Sequence, residues 1–300
     1  MAQAEAGASI DLDAAYCRGL LPRRDPLGHK FSFGTIVCVA GSLDYAGAAL
    51  MTALAAARGG AGLVTIAVPD SLRPIFAGRL PESILLGLPE TAPEIVDPGG
   101  ALEEIRARRP SALVIGPGLK ETEDYRQLIG LLLGHVDTPA VVDAGAINLL
   151  AGSGEWWTRS TAPLVLTPHA GEFERLTGRQ VGSSDRERAD RAGQAARQFG
   201  AIVILKGART VIANPDGRVA VSSFANPALA TAGSGDVLAG LIGALIAQGA
   251  KPFDAACLGV YLHGRAGERL SFRYGDAGIL ATELPAEAAL ARHELAAHSA

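Results

Sequence analysis

The segment ATAGSGDVLAG, residues 230–240, runs small residues directly into an apolar helix. A chain that enters a helix leaves its first backbone N–H groups unpaired at the positive end of the helix dipole, and such a mouth suits a phosphate. Gly233 and Gly235 let the backbone approach an anion closely, although glycines there could also serve a mere turn. Asp236 falls in the first helical turn. A carboxylate at that position can be a plain partner of the helix dipole. Beside a transferred phosphate it can instead take a hydroxyl proton, acting as a base held next to an anion hole.

Further polar groups end apolar runs elsewhere. Gly116 and Gly118 end ALVIGPG (112–118), Asp143 follows AVV in AVVDAG (140–145), His169 and Glu172 close LVLTPHAGE (164–172), and Lys206 closes IVILKG (202–207). If these runs are parallel strands of one open sheet, their carboxyl ends share an edge, and ligands of such sheets bind outside that edge. The groups are therefore expected to converge although they are far apart in the chain. Other catalytic patterns fail: there is no GxxxxGK[ST] loop, no GxGxxG after a strand and no GxSxG elbow. His293-Glu294 and His298 superficially suggest a zinc helix, but the two histidines are five apart and do not share a helix face, so a solvated terminal helix is expected. His263, in YLHGRAG, reads as a packed, hydrogen-bonded helix residue, and Trp156 and Trp157 as cover for a loop.

The elements that must position these groups alternate. TIVCVAGS (35–42) joins the runs already named as a buried strand, and between the strands lie helical stretches at 46–59, 122–134 and 183–200. That alternation is the pattern of a doubly wound α/β sheet. TVIANP (210–215) and RVAVSS (218–223) flank Asp216-Gly217, a two-residue hairpin turn, so the sheet is expected to end in an antiparallel edge. Helices follow at 234–249, from Pro252 to about Leu270, and near 279–291. With no linker or repeat, one domain over residues 1–300 is expected, its core about 25–292. The 300 residues are 48% hydrophobic, enough to bury a large core, and a net charge of −4 without a basic stripe speaks against nucleic acid as a partner. Cys17, Cys38 and Cys257 are odd in number and widely spaced, which fits a reducing cytoplasm, with Cys38 a small core hydrophobe. No secretory signal is visible, and VLAGLIGALIA (237–247) is too short to span a membrane.

Taken together, AGSLDYAGAAL (40–50), IGPGL (115–119), VVDAGAIN (141–148), LTPHAGEFERLTG (166–178), ILKGARTVI (204–212), NPALATAGSGDVLAG (226–240) and VYLHGRAGE (260–268) resemble the ADP/ATP-dependent (S)-NAD(P)H-hydrate dehydratase family of the ribokinase-like superfamily. The resemblance implies a three-layer α/β/α sandwich with a mostly parallel central sheet, and a lyase that removes water from hydrated NADH or NADPH at the expense of ADP or ATP. It also implies residue roles. Ala48, Gly118 and His169 would contact the hydrated nucleotide, Asp236 its hydroxyl, and Lys206, Gly207, Ala208, Arg209 and Thr210 with Gly233, Ser234 and Gly235 the adenine nucleotide. Mg²⁺ is expected from phosphoryl chemistry, a homo-oligomer, in the form of a tetramer, from relatives, and a separate NAD(P)HX epimerase as a companion, since the dehydratase-like region fills the chain. Where family members commonly carry Pro, Gly and Gly, this chain has Ala170, Ala228 and Ala232, exchanges expected to bear on loop geometry rather than on the reaction class. GSGD alone is shared with small-molecule kinases acting on a hydroxymethylpyrimidine, a thiazole or a sugar, and a non-catalytic nucleotide sensor would keep the same fold.

Overall fold

Runs of Val, Ile and Leu that must be covered on both faces form the centre of the molecule, which the computed structural model describes over residues 9–297. The order is β1 (Ile10–Asp11), α1 (Ala14–Arg18), β2 (Thr35–Val39), α2 (Ala46–Gly59), β3 (Leu63–Pro69), α3 (Arg73–Phe76) and β4 (Ile84–Leu88). A small ribbon, β5 (Glu90–Ala92) with β6 (Ile95–Val96), precedes α4 (Pro98–Ala107), β7 (Ala112–Ile115), α5 (Glu123–His135), β8 (Ala140–Val142) and α6 (Gly145–Ala151). Then come β9 (Leu164–Leu166), α7 (Ala170–Thr177), α8 (Asp185–Phe199), β10 (Ile202–Leu205), β11 (Val211–Ala213) and β12 (Val219–Val221). Three helices follow, α9 (Ser234–Ala247), α10 (Pro252–Tyr274) and α11 (Leu284–Ala297).

The central sheet has ten strands in the order β1-β12-β11-β10-β9-β8-β7-β2-β3-β4. Every neighbouring pair is parallel except β10 with β11 and β11 with β12. Alternation along β2 sorts the layers: Ile36 and Cys38 point into a core shared with α2, α9, α10 and α11, and Val37 and Val39 into one shared with α4 to α8. The result is the α/β/α sandwich. The expected antiparallel hairpin is present toward one edge of the sheet, turning at Gly217 (φ +98°), and the two-residue β1 adds outside it in parallel register, Ile10 opposite Ala220. β3 and β4 extend the other side beyond the strands read from sequence. The last helix begins at Leu284 after a 3₁₀ turn and runs to Ala297, later than expected.

α9 is held unusually close to α2. A Cβ at Gly240 would stand 2.2 Å from the Thr52 carbonyl oxygen, so only glycine permits this approach. Residues 237–247 of α9 are all buried, and each fully buried Leu or Ile contributes about 1.5–3 kcal/mol of transfer free energy. Trp156 does more than cover a loop: it is buried against Phe199, at 5.3 Å between centroids, with Trp157 on the same ring at 5.0 Å. Of the terminal trio, His293 is exposed, Glu294 pairs with Arg269, and His298 lies outside the described residues. Cys17, Cys38 and Cys257 are buried thiols, and no helix among the described residues is long and apolar enough to cross a membrane.

Candidate active site

The first turn of α9 faces the carboxyl ends of β8, β9 and β10. Gly233 sits at the N-cap in the left-handed region (φ +88°), which glycine adopts without strain, and the Ser234 amide bonds back to the Thr231 carbonyl at 3.2 Å as the chain enters the helix. Opposite this turn stands a buried charge cluster. Lys206, just past β10, places Nζ 2.7 Å from Asp143 Oδ1 and 3.7 Å from Glu172 Oε2. Asp143, just past β8 and 1% exposed, also accepts a 2.7 Å hydrogen bond from the Thr167 hydroxyl at the end of β9. A Cβ at Gly235 would lie 3.3 Å from Lys206 Nζ and 3.9 Å from Asp143 Oδ2, so the helix mouth touches the cluster directly.

The local sequence explains each placement. His169 caps α7: its Nδ1 accepts from the Glu172 amide at 3.2 Å while Glu172 Oε2 accepts from the His169 amide at 2.8 Å. This reciprocal box does the stiffening that a proline at Ala170 would otherwise supply. It also pins the buried Glu172 and leaves the His169 ring 54% exposed at the cavity. Ala144, directly after Asp143, is held at φ +48°, ψ −120°, a backbone region that ordinary residues avoid. Ala228 and Ala232 do not adopt positive φ, so neither needs glycine; Asn226 caps the Ala228 amide at 3.0 Å and anchors to Ser271 at 2.8 Å.

Electrostatics follow from burial. Desolvation, reinforced by Asp143 and Glu172 and opposed by Lys206, raises Asp236 to about 7. Burial alone would lower the Lys206 ammonium, but Asp143, Glu172 and Asp236 together hold it above its ordinary value. A carboxyl poised near neutrality beside a fixed cation and an amide-lined helix mouth is equipped to accept a hydroxyl proton while charge builds on a neighbouring phosphate.

A cavity of about 670 Å³ opens beside this cluster. His169, Lys206, Gly207, Ala208, Thr210, Ser234 and Gly235 line it, whereas Gly233, Asp236, Ala48 and Gly118 are not among its lining residues. Arg209 takes another course, with φ +54° and its guanidinium paired to Asp185 at 3.1 Å. Gly118 (φ +68°) and Ala48 meet each other: a Cβ on the glycine would stand 2.7 Å from that of Ala48. The apolar wall of Phe224, Leu229, Leu238 and Val260 was not read from the sequence. A signal for it existed, because Gly264 and Gly267 clear one face of α10 and the rings and methyls of Phe224 and Leu229 fill the space.

The donors also suit a magnesium–nucleotide pair. Mg²⁺ favours hard oxygen ligands and binds through one or two carboxylates plus substrate phosphates. Asp143 and Glu172 are such carboxylates, already arranged about a cation, Lys206 Nζ. Among the described residues no group of three or more His, Cys, Asp or Glu could hold a metal unaided.

The chain is similar to known proteins in both sequence and fold. The chain is 44% identical over 280 residues to the bifunctional NAD(P)H-hydrate repair enzyme Nnr of Moorella thermoacetica, covering 91% of this chain and 52% of that protein. The chain thus spans about half the length of the first curated relatives it matches. It is 37% identical over 273 residues to the ADP-dependent (S)-NAD(P)H-hydrate dehydratase of Neisseria meningitidis, covering 89% of this chain and 88% of that one. Its fold superposes on the ADP/ATP-dependent NAD(P)H-hydrate dehydratase of Bacillus subtilis, co-crystallised with ATP and Mg²⁺, with a TM-score of 0.82 at 33% identity over 97% of this chain and 100% of that one. The family model described as NAD(P)H-hydrate dehydratase matches residues 36–289, from β2 into α11 and so across every group of the cluster and the cavity: the chain belongs to that family.

Proposed function

We propose that this chain removes water from the hydrated forms of NADH and NADPH, using ADP or ATP as co-substrate and releasing phosphate with AMP or ADP. The observation that carries the reading is Asp236, held near neutrality in the first turn of α9 beside Lys206 and next to a cavity of nucleotide size. Hydroxide is a poor leaving group, so the ring hydroxyl must first become a phosphate ester. Asp236 takes the hydroxyl proton as that oxygen attacks the terminal phosphorus of ADP or ATP, and the bond to AMP or ADP breaks. The ring nitrogen then expels inorganic phosphate with its lone pair, and loss of a proton from the neighbouring carbon restores the dihydronicotinamide.

Within this reading, Lys206 to Thr210 and Gly233 to Gly235 hold the adenine nucleotide, with the amides of α9 taking the phosphate. Ala48, Gly118 and His169 hold the hydrate; Ala48 packs so closely on Gly118 that no side chain fits between them. Mg²⁺, held by Asp143 and Glu172 with the nucleotide phosphates, would offset phosphate charge when bound. The unit acts as one domain. The exposed Leu27, Phe31 and Phe272 support a homo-oligomer, and we assign a tetramer. The buried thiols fit work in the cytoplasm, together with an NAD(P)HX epimerase.

The test supplies NADH hydrate with ADP or with ATP and follows phosphate and NADH together. Equal release of both is expected. A stable phosphorylated product without NADH would make the chain a kinase, and binding without phosphate release a nucleotide sensor.

A further inference from the structure

His263 stands on α10 with Nε2 3.0 Å from Ser234 Oγ and 3.0 Å from the Ser234 carbonyl oxygen. A carbonyl oxygen can only accept, so Nε2 carries the proton and the single N–H is shared between the two oxygens. Ser234 Oγ is then an acceptor toward the imidazole, and its own hydrogen must point elsewhere. Ser234 is buried, it is the first residue of α9, and it lines the cavity together with His263, Lys206 and Gly235.

We propose that His263 is a positioning residue that makes the Ser234 hydroxyl an obligate donor to a nucleotide phosphate in this cavity. The proposal rests on reading the cavity as the nucleotide site. An unclamped serine could turn its hydrogen back to the protein and present lone pairs to an anion, which would repel it. With the imidazole N–H occupying one lone pair of Oγ, the favourable rotor places the O–H into the cavity beside the free amides of α9. Burial pushes the His263 imidazolium down to about 4, so the ring is neutral over the working range and the clamp does not titrate there.

The experiment is ADP binding by calorimetry, with adenosine as a probe that lacks phosphate, on the whole chain and on Ser234→Ala, His263→Leu, His263→Gln and the Ser234→Ala/His263→Leu double variant. Ser234→Ala and His263→Leu should each weaken ADP by about tenfold, the scale of one hydrogen bond to a charged group. The double variant should be no weaker than either single one, because His263 acts through Ser234. His263→Gln, whose amide N–H falls near Nε2, should stay within about threefold of wild type. Adenosine affinity should not move. Additive losses, a Gln variant as weak as Leu, or an equal fall in adenosine affinity would overturn the assignment. Should His263→Leu fail to fold, the Gln variant and its double with Ser234→Ala decide: Gln and His must be equivalent in both backgrounds. Wild-type protein that binds ADP yet yields no NADH from the hydrate refutes the proposed activity and leaves this coupling standing, whereas failure to bind ADP and ATP alike refutes both.

Discussion

Replacing Asp236 with Asn should move stability and activity in opposite directions, and the structure sets the size of both effects. The Asp236 carboxyl is raised from an ordinary 3.8 to about 7, first by burial and then by Asp143 and Glu172, with Lys206 opposing. Between those two values the unfolded chain has released the proton and the folded chain keeps it, so stability falls as pH rises and the full penalty is reached above about 7. Roughly 3 pKa units at 1.36 kcal/mol each bring that penalty to about 4 kcal/mol. Asn has no proton to lose, so the variant should match wild type near pH 4 and exceed it by up to about 4 kcal/mol at pH 8. Turnover should drop by at least about a hundredfold, the usual scale for a removed general base. Urea denaturation of both proteins at pH 4, 6 and 8, with phosphate release at pH 8, reads out everything required. A stability difference that does not widen between pH 4 and 8 would refute the electrostatic account, and near-wild-type turnover by the folded variant would refute the role as base.

The same carboxyl should give log(kcat/KM) an acid limb near pH 7, and Lys206→Met should shift that limb upward because Lys206 opposes the rise; an unshifted limb would separate the two groups. Asp143→Ala leaves the buried Lys206 ammonium with only Glu172 and Asp236 and should cost about 3–5 kcal/mol, measured by denaturation at pH 7; a loss under 1 kcal/mol would mean that the pair is dispensable. Ala144→Gly relieves a conformation at φ +48°, ψ −120° that costs about 1–3 kcal/mol, partly offset by the extra freedom of unfolded glycine, and should raise stability by about 1 kcal/mol with activity unchanged. A lower melting temperature would count against strain at this position.

How much could be read in advance depended on whether a residue's role was local or shared. Strands such as ALVI and IVIL announce themselves because both faces are buried, and the polar residues that end them mark the edge where Asp143, His169 and Lys206 meet. β4 was hidden because Gly87 interrupts ILLGL, and β1 because a two-residue strand exists only through its pairing with β12. α4 was concealed by its Pro-Gly-Gly start, which scores as a turn although Asp97 caps it. The Lys206–Asp143–Thr167 contacts join residues tens of positions apart, and no local pattern encodes them. The apolar wall had only an indirect signal, the glycines at 264 and 267: Phe224 fills a gap on α10 rather than a pattern among its own neighbours in the chain.

Glycine at 240 has a bearing on how such a protein can diversify. By seating α9 directly on the backbone of α2, it makes the direction of the amide crown a property of the folded scaffold, settled before any ligand arrives. Little is left to tighten on that side, so adaptation to a different substrate must come from another wall of the cavity, the 224–231 loop. Descendants of this scaffold should therefore keep the anion cradle and exchange that loop.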